Sequence, residues 1–157
     1  MKLISYSVNE TLDIGKKIAK NLKKGDIICL FGGFGSGKTI LTKGIARGLG
    51  IKKNIVISPS FVIMRQYLGK GLTLSHFDLY RLKKRDEIFA LGLQDYLYAD
   101  GVAAVEWADR LGRFIPREYL KINLEIAGKT KRKIEISAFG QRYQALIRGL
   151  KTKRCRR

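Results

Sequence analysis

The residues Gly32–Thr39 read GGFGSGKT, and this stretch decides the fold class. It matches the P-loop pattern G-x-x-x-x-G-K-[ST]. Glycines let consecutive backbone N–H groups turn toward one bound anion, and a helix that begins near the lysine adds the positive end of its dipole. The stretch therefore predicts a loop that binds phosphate groups.

The segments on either side of this loop favour the same interpretation. Asp26–Phe31 (DIICLF) is a short apolar run, which is typical of a buried parallel strand. Beyond the loop, Leu41, Ile45 and Leu49 recur four residues apart, and this spacing predicts a helix over Lys38–Leu49. The predicted order is strand, glycine loop and helix.

The rest of the chain predicts further strands and helices. A capping-box sequence at Ser7–Glu10 predicts a helix with one buried face formed by Leu12, Gly15, Ile18, Ala19 and Leu22. Further helices are predicted over Lys83–Leu91 and Arg142–Leu150. Strands are predicted over Lys2–Ser7, Phe61–Tyr67, Leu72–Phe77, Gly101–Trp107, Tyr119–Ile126 and Lys131–Ser137, with hairpin turns at Gly69–Gly71 and Gly128–Thr130.

These elements predict an α/β fold. We expect a P-loop NTPase-like three-layer sandwich, with a mostly parallel central sheet and antiparallel hairpin additions. The length of 157 residues suits one domain, which we assign to residues 1–150. Residues 151–157 (KTKRCRR) are predicted to form a basic, mobile tail.

Composition excludes several classes of protein. No apolar run approaches the length of a membrane-spanning helix, and the first ten residues contain no apolar signal-peptide core. Cys29 lies in an apolar run and is predicted to be a core residue, whereas Cys155 is predicted to be an exposed thiol. Neither has the spacing of a metal or redox site, which fits a reducing cytoplasm.

The charge is strongly positive and unevenly distributed. The chain has 32 Lys and Arg against 13 Asp and Glu, a formal charge of +19. Residues 127–157 hold eleven basic side chains and one acid, Glu135. Such a field attracts polyanions, so contact with nucleic acid is one interpretation, and a solubilising surface is the other.

The motif assigns chemistry to individual residues of the loop. Lys38 is expected to reach the β and γ phosphates, and the hydroxyl of Thr39 is expected to ligate Mg²⁺. The flanking residues of the predicted nucleotide site are Gly33, Phe34, Gly35, Ser36, Gly37 and Ile40. The guanine-reading sequence N-K-x-D is absent from the chain, which modestly favours ATP over GTP.

A P-loop enzyme also needs a carboxylate for the metal or for the attacking water. Glu106 ends the apolar run Val102–Val105 and is our preferred metal ligand, although it could be an ordinary acid at a strand end. Asp78 ends a more polar strand and is a candidate to position water or support the metal, with a helix cap as the alternative. The single histidine, His76, is interpreted as a packing or hydrogen-bonding residue of that strand.

Three further segments, in order after the P-loop, carry a resemblance to a known family. SPSFVIMRQY (58–67), HFDLYRL (76–82) and VEW (105–107) resemble the TsaE (YjeE) family, over roughly residues 5 to 140. The family comprises bacterial ATPases needed for threonylcarbamoyladenosine (t6A) formation on tRNA. The resemblance implies a cytoplasmic protein that uses ATP and Mg²⁺ and works with TsaD and TsaB, the transfer chemistry being on TsaD.

The resemblance also implies roles for particular residues. It assigns Lys38 and Thr39 to phosphate and Mg²⁺, and it makes Asp78 and Glu106 the acids needed for hydrolysis. Ser60 falls in a switch-like S-P-T segment in which threonine is usual, and Trp107 becomes a neighbour of the site.

The chain departs from the family pattern at several positions. Gly33 and Phe34 replace an acid and a leucine that are frequent there, and Ala108 replaces the usual proline. The basic tail is not part of the family motif, so it could contact tRNA or only raise solubility.

The leading functional hypothesis is a partner-dependent ATPase that is slow alone. A nucleotide-gated RNA-binding module without essential hydrolysis is the first alternative. The second is a small P-loop kinase in which Asp78 deprotonates an acceptor.

Overall fold

A computed structural model describes residues 1–52, 56–57, 59 and 62–152. Its helices are α1 (Val8–Ala19), α2 (Lys38–Gly48), α3 (Arg85–Ala90), α4 (Leu93–Leu97) and α5 (Gln141–Thr152), with a 3₁₀ segment over Ala108–Phe114. Its strands are β1 (Lys2–Ser5), β2 (Ile27–Phe31), β3 (Met64–Leu68), β4 (Thr73–Asp78), β5 (Gly101–Glu106), β6 (Tyr119–Ile126) and β7 (Arg132–Phe139).

All seven strands form one sheet in the order β1-β7-β6-β2-β5-β4-β3. The four neighbours β6, β2, β5 and β4 run parallel to one another. The hairpins β3–β4 and β6–β7 are antiparallel, and β1 adds to β7 in the antiparallel sense. The predicted parallel centre with antiparallel hairpin additions is confirmed.

Helices cover both faces of the sheet, which gives three layers. Side chains of β2 alternate between two cores: Ile28 and Leu30 belong to one, and Ile27 and Cys29 to the other. The first core includes residues of α1, α2 and α5, and the second includes residues of α3, α4 and the 3₁₀ segment. Because a core covers each face of β2, its residues are apolar on both faces.

Helix α1 begins as its sequence predicts. Ser7 is the N-cap, and its hydroxyl accepts a hydrogen bond from the Glu10 amide at 3.1 Å. The Glu10 carboxylate in turn accepts one from the Tyr6 amide at 2.8 Å. Because this cap starts the helix, β1 ends at Ser5 rather than at the predicted Ser7.

Helices α1 and α2 pack with their backbones in contact. A Cβ atom added at Gly44 would lie 2.2 Å from the carbonyl oxygen of Leu12, and one at Gly15 would lie 2.4 Å from that of Leu41. Only glycine permits so close an approach. The crossing therefore fixes the helix that begins at the P-loop.

Helix α5 is held to the start of β2 by polar side chains. Arg142 donates from Nε to Asp26 Oδ1 at 3.0 Å, and the Tyr143 hydroxyl accepts a bond from the Ile27 amide at 2.8 Å. Arg142 thus has a structural role that its place in the basic C-terminal third did not indicate. The helix ends at Thr152, two residues beyond the predicted Leu150, so it takes up the start of the predicted tail; residues 153–157 lie outside the described ranges.

Two short elements were not predicted, α4 and the 3₁₀ segment, because neither is long enough to show helical periodicity. The strand predicted to end at Trp107 ends at Glu106, since Trp107 turns into the left-handed region with φ of 56°. Within the ranges the structure describes, no helix is both long and apolar enough to cross a membrane.

Candidate functional site

The glycine-rich loop joins the carboxyl end of β2 to the start of α2. Gly37 is the N-cap of α2 with φ of 103°, and no side chain of the described residues caps this helix. The backbone N–H groups of the first turn have no carbonyl partner within the helix, and no side chain of the described residues caps them. Gly32 has φ of 136°, and a Cβ there would lie 2.3 Å from the Leu124 carbonyl oxygen. These features fit an anion site.

Lys38 lies folded against the loop and is only 5% exposed. Its Nζ donates to the carbonyl oxygens of Gly32 and Gly33 at 2.7 and 2.8 Å. The same atom lies 4.0 Å from the centre of the Trp107 ring. Burial lowers the pKa of Lys38, and the negative charges of Glu106, Asp78 and Asp109 oppose that shift.

The two predicted acids lie side by side at the carboxyl ends of neighbouring parallel strands. Asp78 of β4 and Glu106 of β5 are partners in the register, and both are buried. Glu106 Oε2 accepts a hydrogen bond from Thr39 Oγ1 at 2.8 Å. Asp78 Oδ1 accepts one from the Tyr80 amide at 3.0 Å. The fold therefore brings both acids to the start of α2.

The Thr39–Glu106 pair has the chemistry that a magnesium ion requires. It offers a hydroxyl and a carboxylate oxygen in contact, beside the start of the phosphate-loop helix. The described residues contain no group of three or more His, Cys, Asp or Glu that could hold a metal. Mg²⁺ needs few protein ligands because it keeps waters and uses phosphate oxygens. These residues fit the ion.

A pocket of about 280 Å³ opens between the loop and the two acids. Gly33 takes part through the carbonyl that binds Lys38, whereas Ser60 lies outside the described residues. The fold thus assembles the predicted site, while the role of each residue stays a prediction. The residues that line the pocket are Phe34, Gly35, Ser36, Gly37, Lys38, Thr39, Ile40, Asp78, Tyr80, Glu106 and Trp107.

Sequence reasoning missed two residues of this region. The Tyr80 ring lies 4.9 Å from that of Trp107, and its motif HFDLYRL was the only signal for it. Arg132 of β7 donates to the carbonyl oxygens of Ser36 and Gly35, both at 3.1 Å. In the sequence Arg132 is one basic residue among many, so nothing indicated that it braces the loop.

Phe34, one of the departures from the family pattern, is at the rim of the pocket. Its side chain is 82% exposed, and its ring lies 6.3 Å from that of Tyr80. It makes no contribution to the buried core, so the substitution changes the rim and not the support of the loop.

Comparison with a family model and with known proteins identifies the family of the chain. The family model described as threonylcarbamoyl adenosine biosynthesis protein TsaE matches residues 5–134. The TsaE protein of Bacillus subtilis (strain 168) is 41% identical over 150 residues, which cover 96% of this chain and 93% of the relative. The TsaE protein of Treponema pallidum (strain Nichols) is 34% identical over 137 residues, covering 87% of this chain and 100% of the relative.

A solved structure shows the same fold. The crystal structure of Bacillus subtilis YdiB superposes with a TM-score of 0.85 at 37% identity, and the match covers 98% of this chain and 95% of that chain. The shared fold agrees with the family match, which covers most of the chain. The chain belongs to the TsaE family of threonylcarbamoyl adenosine biosynthesis proteins.

Proposed function

We propose that this chain binds ATP with Mg²⁺ and hydrolyses it in support of t6A modification of tRNA in the cytoplasm, together with TsaD and TsaB. The observation that carries the proposal is the hydrogen bond of 2.8 Å between Thr39 and Glu106, next to Lys38 at the start of α2. A hydroxyl, a carboxylate and a lysine in this arrangement are the parts of a P-loop hydrolase.

Each residue has a defined task in the proposed reaction. Lys38 and the first-turn amides of α2 hold the β and γ phosphates, and Thr39 and Glu106 hold the metal. Bound Mg²⁺ supplies neutralisation of the charge that develops on the phosphate oxygens. Asp78, which lies beside Glu106, orients the attacking water. Trp107 packs over Lys38 and limits the positions of its side chain.

The pocket also suggests why a partner is needed. Among the described residues that line it, Lys38 is the only cation, against the two acids Asp78 and Glu106. P-loop enzymes gain a large part of their rate from a second cation at the transferred phosphate, which a partner can supply. We therefore expect slow hydrolysis by the chain alone.

The segment around Ser60 is the proposed switch. Ile63, just beyond it, has φ of 67°, a strained conformation for a β-branched residue. Its carbonyl oxygen accepts a hydrogen bond of 2.9 Å from the amide of Asp78. Loss of the γ phosphate beside Asp78 would disturb this hydrogen bond and, through it, the segment around Ser60. The surface that this segment offers to partner proteins would then change.

Hydrolysis measured with purified proteins tests the proposal. ATP turnover in Mg²⁺ is followed for the chain alone and with TsaD and TsaB, with Lys38→Ala as the inactive control. We expect slow turnover alone, faster turnover with both partners, and t6A formation in tRNA only when ATP is hydrolysed. Folded wild-type protein that hydrolyses no ATP in any combination would contradict the proposal, and turnover only with a phosphate acceptor would favour a kinase.

A further inference from the structure

The single histidine of the chain is buried directly behind the candidate metal pair. His76 lies in β4 and is 0% exposed. Its Nε2 is 2.7 Å from Glu106 Oε1, while its Nδ1 has no hydrogen-bond partner among the described residues. A carboxylate oxygen only accepts, so Nε2 carries the hydrogen of this bond.

The strands leave room for this contact. The register places Ala104 of β5 opposite His76, and Glu106 is two residues further along β5 on the same face. Because alanine is small, the imidazole can extend across its position toward Glu106. Packing alone does not account for a histidine here, since a phenylalanine would fill similar space without burying polar nitrogen atoms.

Glu106 is almost fully buried, with 1% exposure, and each of its carboxylate oxygens has one donor within the described part of the chain. Thr39 donates to Oε2, and His76 donates to Oε1. Rotation of the carboxylate would break both bonds at once and leave buried polar atoms unpaired. The group is therefore fixed by two strands and one helix.

We infer that His76 is a positioning residue that holds Glu106 with Oε2 toward Thr39, and so tunes the affinity of the site for Mg²⁺. The inference rests on the proposed function, because it concerns the same metal pair. His76 is not among the residues that line the pocket, so it acts through Glu106 and not on the nucleotide. Residues that orient a metal ligand commonly change metal affinity by about 10- to 100-fold when replaced.

Calorimetric titration of ADP and of a non-hydrolysable ATP analogue tests the inference. Affinity is measured in EDTA and at increasing Mg²⁺ for the wild type, His76→Phe and His76→Gln, with thermal unfolding as a check on folding. For His76→Phe we expect the nucleotide affinity in EDTA to be unchanged. The Mg²⁺ concentration that gives half of the full Mg²⁺ effect on nucleotide affinity should be about tenfold higher than for the wild type. His76→Gln retains a side-chain N–H and should recover most of the loss.

A folded His76→Phe protein with the wild-type Mg²⁺ dependence would overturn the inference and leave the proposed function intact. Absence of any Mg²⁺ effect on nucleotide binding by the wild type would instead defeat the proposed function. A measurement on the wild type tests the hydrogen bond on which the inference depends even if both variants fail to fold. The imidazole nitrogen NMR signals come from one residue only, and a hydrogen on Nε2 is expected; a bare Nε2 would overturn the inference.

Discussion

Glu106 illustrates how much one residue depends on its neighbours. A carboxylate at the end of an apolar strand is a common feature, and by itself it does not indicate a chemical role. Here it is 1% exposed and is bonded to Thr39 from the phosphate-loop helix and to His76 from the adjacent strand. Burial of a carboxylate is costly unless it is paired, so these donors explain its presence in the core.

Replacement of this acid tests its task at the residue scale. Glu106→Gln keeps the size of the side chain but removes the negative charge that the metal requires. We expect ATP turnover with TsaD and TsaB to fall by at least about 100-fold, while nucleotide binding in EDTA is retained because Lys38 and the loop are intact. Steady-state turnover and calorimetry measure the two effects.

The matched control is Lys38→Ala, which should weaken nucleotide binding even without Mg²⁺ because it removes the cation that contacts phosphate. If Glu106→Gln hydrolysed ATP at the wild-type rate, the assignment of Glu106 would be wrong and Asp78 would become the leading acid.

At the scale of elements, the contact between α1 and α2 depends on glycine. Gly44→Ala would place a methyl group 2.2 Å from the Leu12 carbonyl oxygen, so the helices must separate. Alanine favours an isolated helix by about 1 kcal/mol over glycine, yet we expect a net loss of about 1 to 3 kcal/mol from the overpacked crossing. Urea denaturation followed by circular dichroism measures it.

Gly149 of α5 is the matched helical glycine. An added Cβ there meets only the end of the Asn21 side chain, at 3.0 Å. Gly149→Ala should therefore be neutral or slightly stabilising. Equal losses in the two variants would show that the close crossing is not the cause.

At the scale of the whole molecule, buried ionisable groups make the free energy of unfolding depend on pH in the alkaline range. Burial raises the pKa of the Cys29 thiol from 9.0 to about 12 and that of the Tyr143 hydroxyl from 10.0 to about 12. In the unfolded chain both groups lose their protons at lower pH than in the fold. Their contribution to the free energy of unfolding is complete below about pH 9 and is lost progressively as pH rises toward 12.

The comparison of wild type with Cys29→Ala isolates the thiol, because the other titrating groups are common to both. We expect the free energy of unfolding of the wild type to fall more steeply between pH 9 and pH 12 than that of the variant. Urea denaturation at a series of pH values measures the slopes. Parallel curves would mean that Cys29 titrates in the fold as it does in the unfolded chain.

The net charge of +19 also belongs to the whole molecule. If tRNA contacts this basic chain directly, the logarithm of the binding constant should fall linearly with the logarithm of salt concentration. Removal of residues 153–157 takes away four basic residues and should reduce that slope by up to about 3. Filter binding across a salt series measures it, and no binding at low salt would leave the charge as a solubilising feature.

Local sequence determined the strands, the phosphate loop and the helix that follows it. These features come from apolar periodicity, glycine spacing and caps, which act over a few residues, and for this reason β2 and α2 were predicted close to their observed bounds. The start of α1 was predicted by its cap, but its predicted apolar face ran to Leu22, beyond the observed end at Ala19. The short elements α4 and Ala108–Phe114 were missed because they have too few residues for a period to appear.

Only the tertiary structure decided which side chains meet. Thr39, His76 and Glu106 are 30 or more residues apart in sequence, and their contacts follow from the pairing of β4 with β5 and from the packing of α2 on that face. Arg132 reaches the loop from 96 residues away for the same kind of reason. Contacts of this range depend on strand order and on which face a residue occupies, and the order of strands in a sheet is set by the packing of the whole chain.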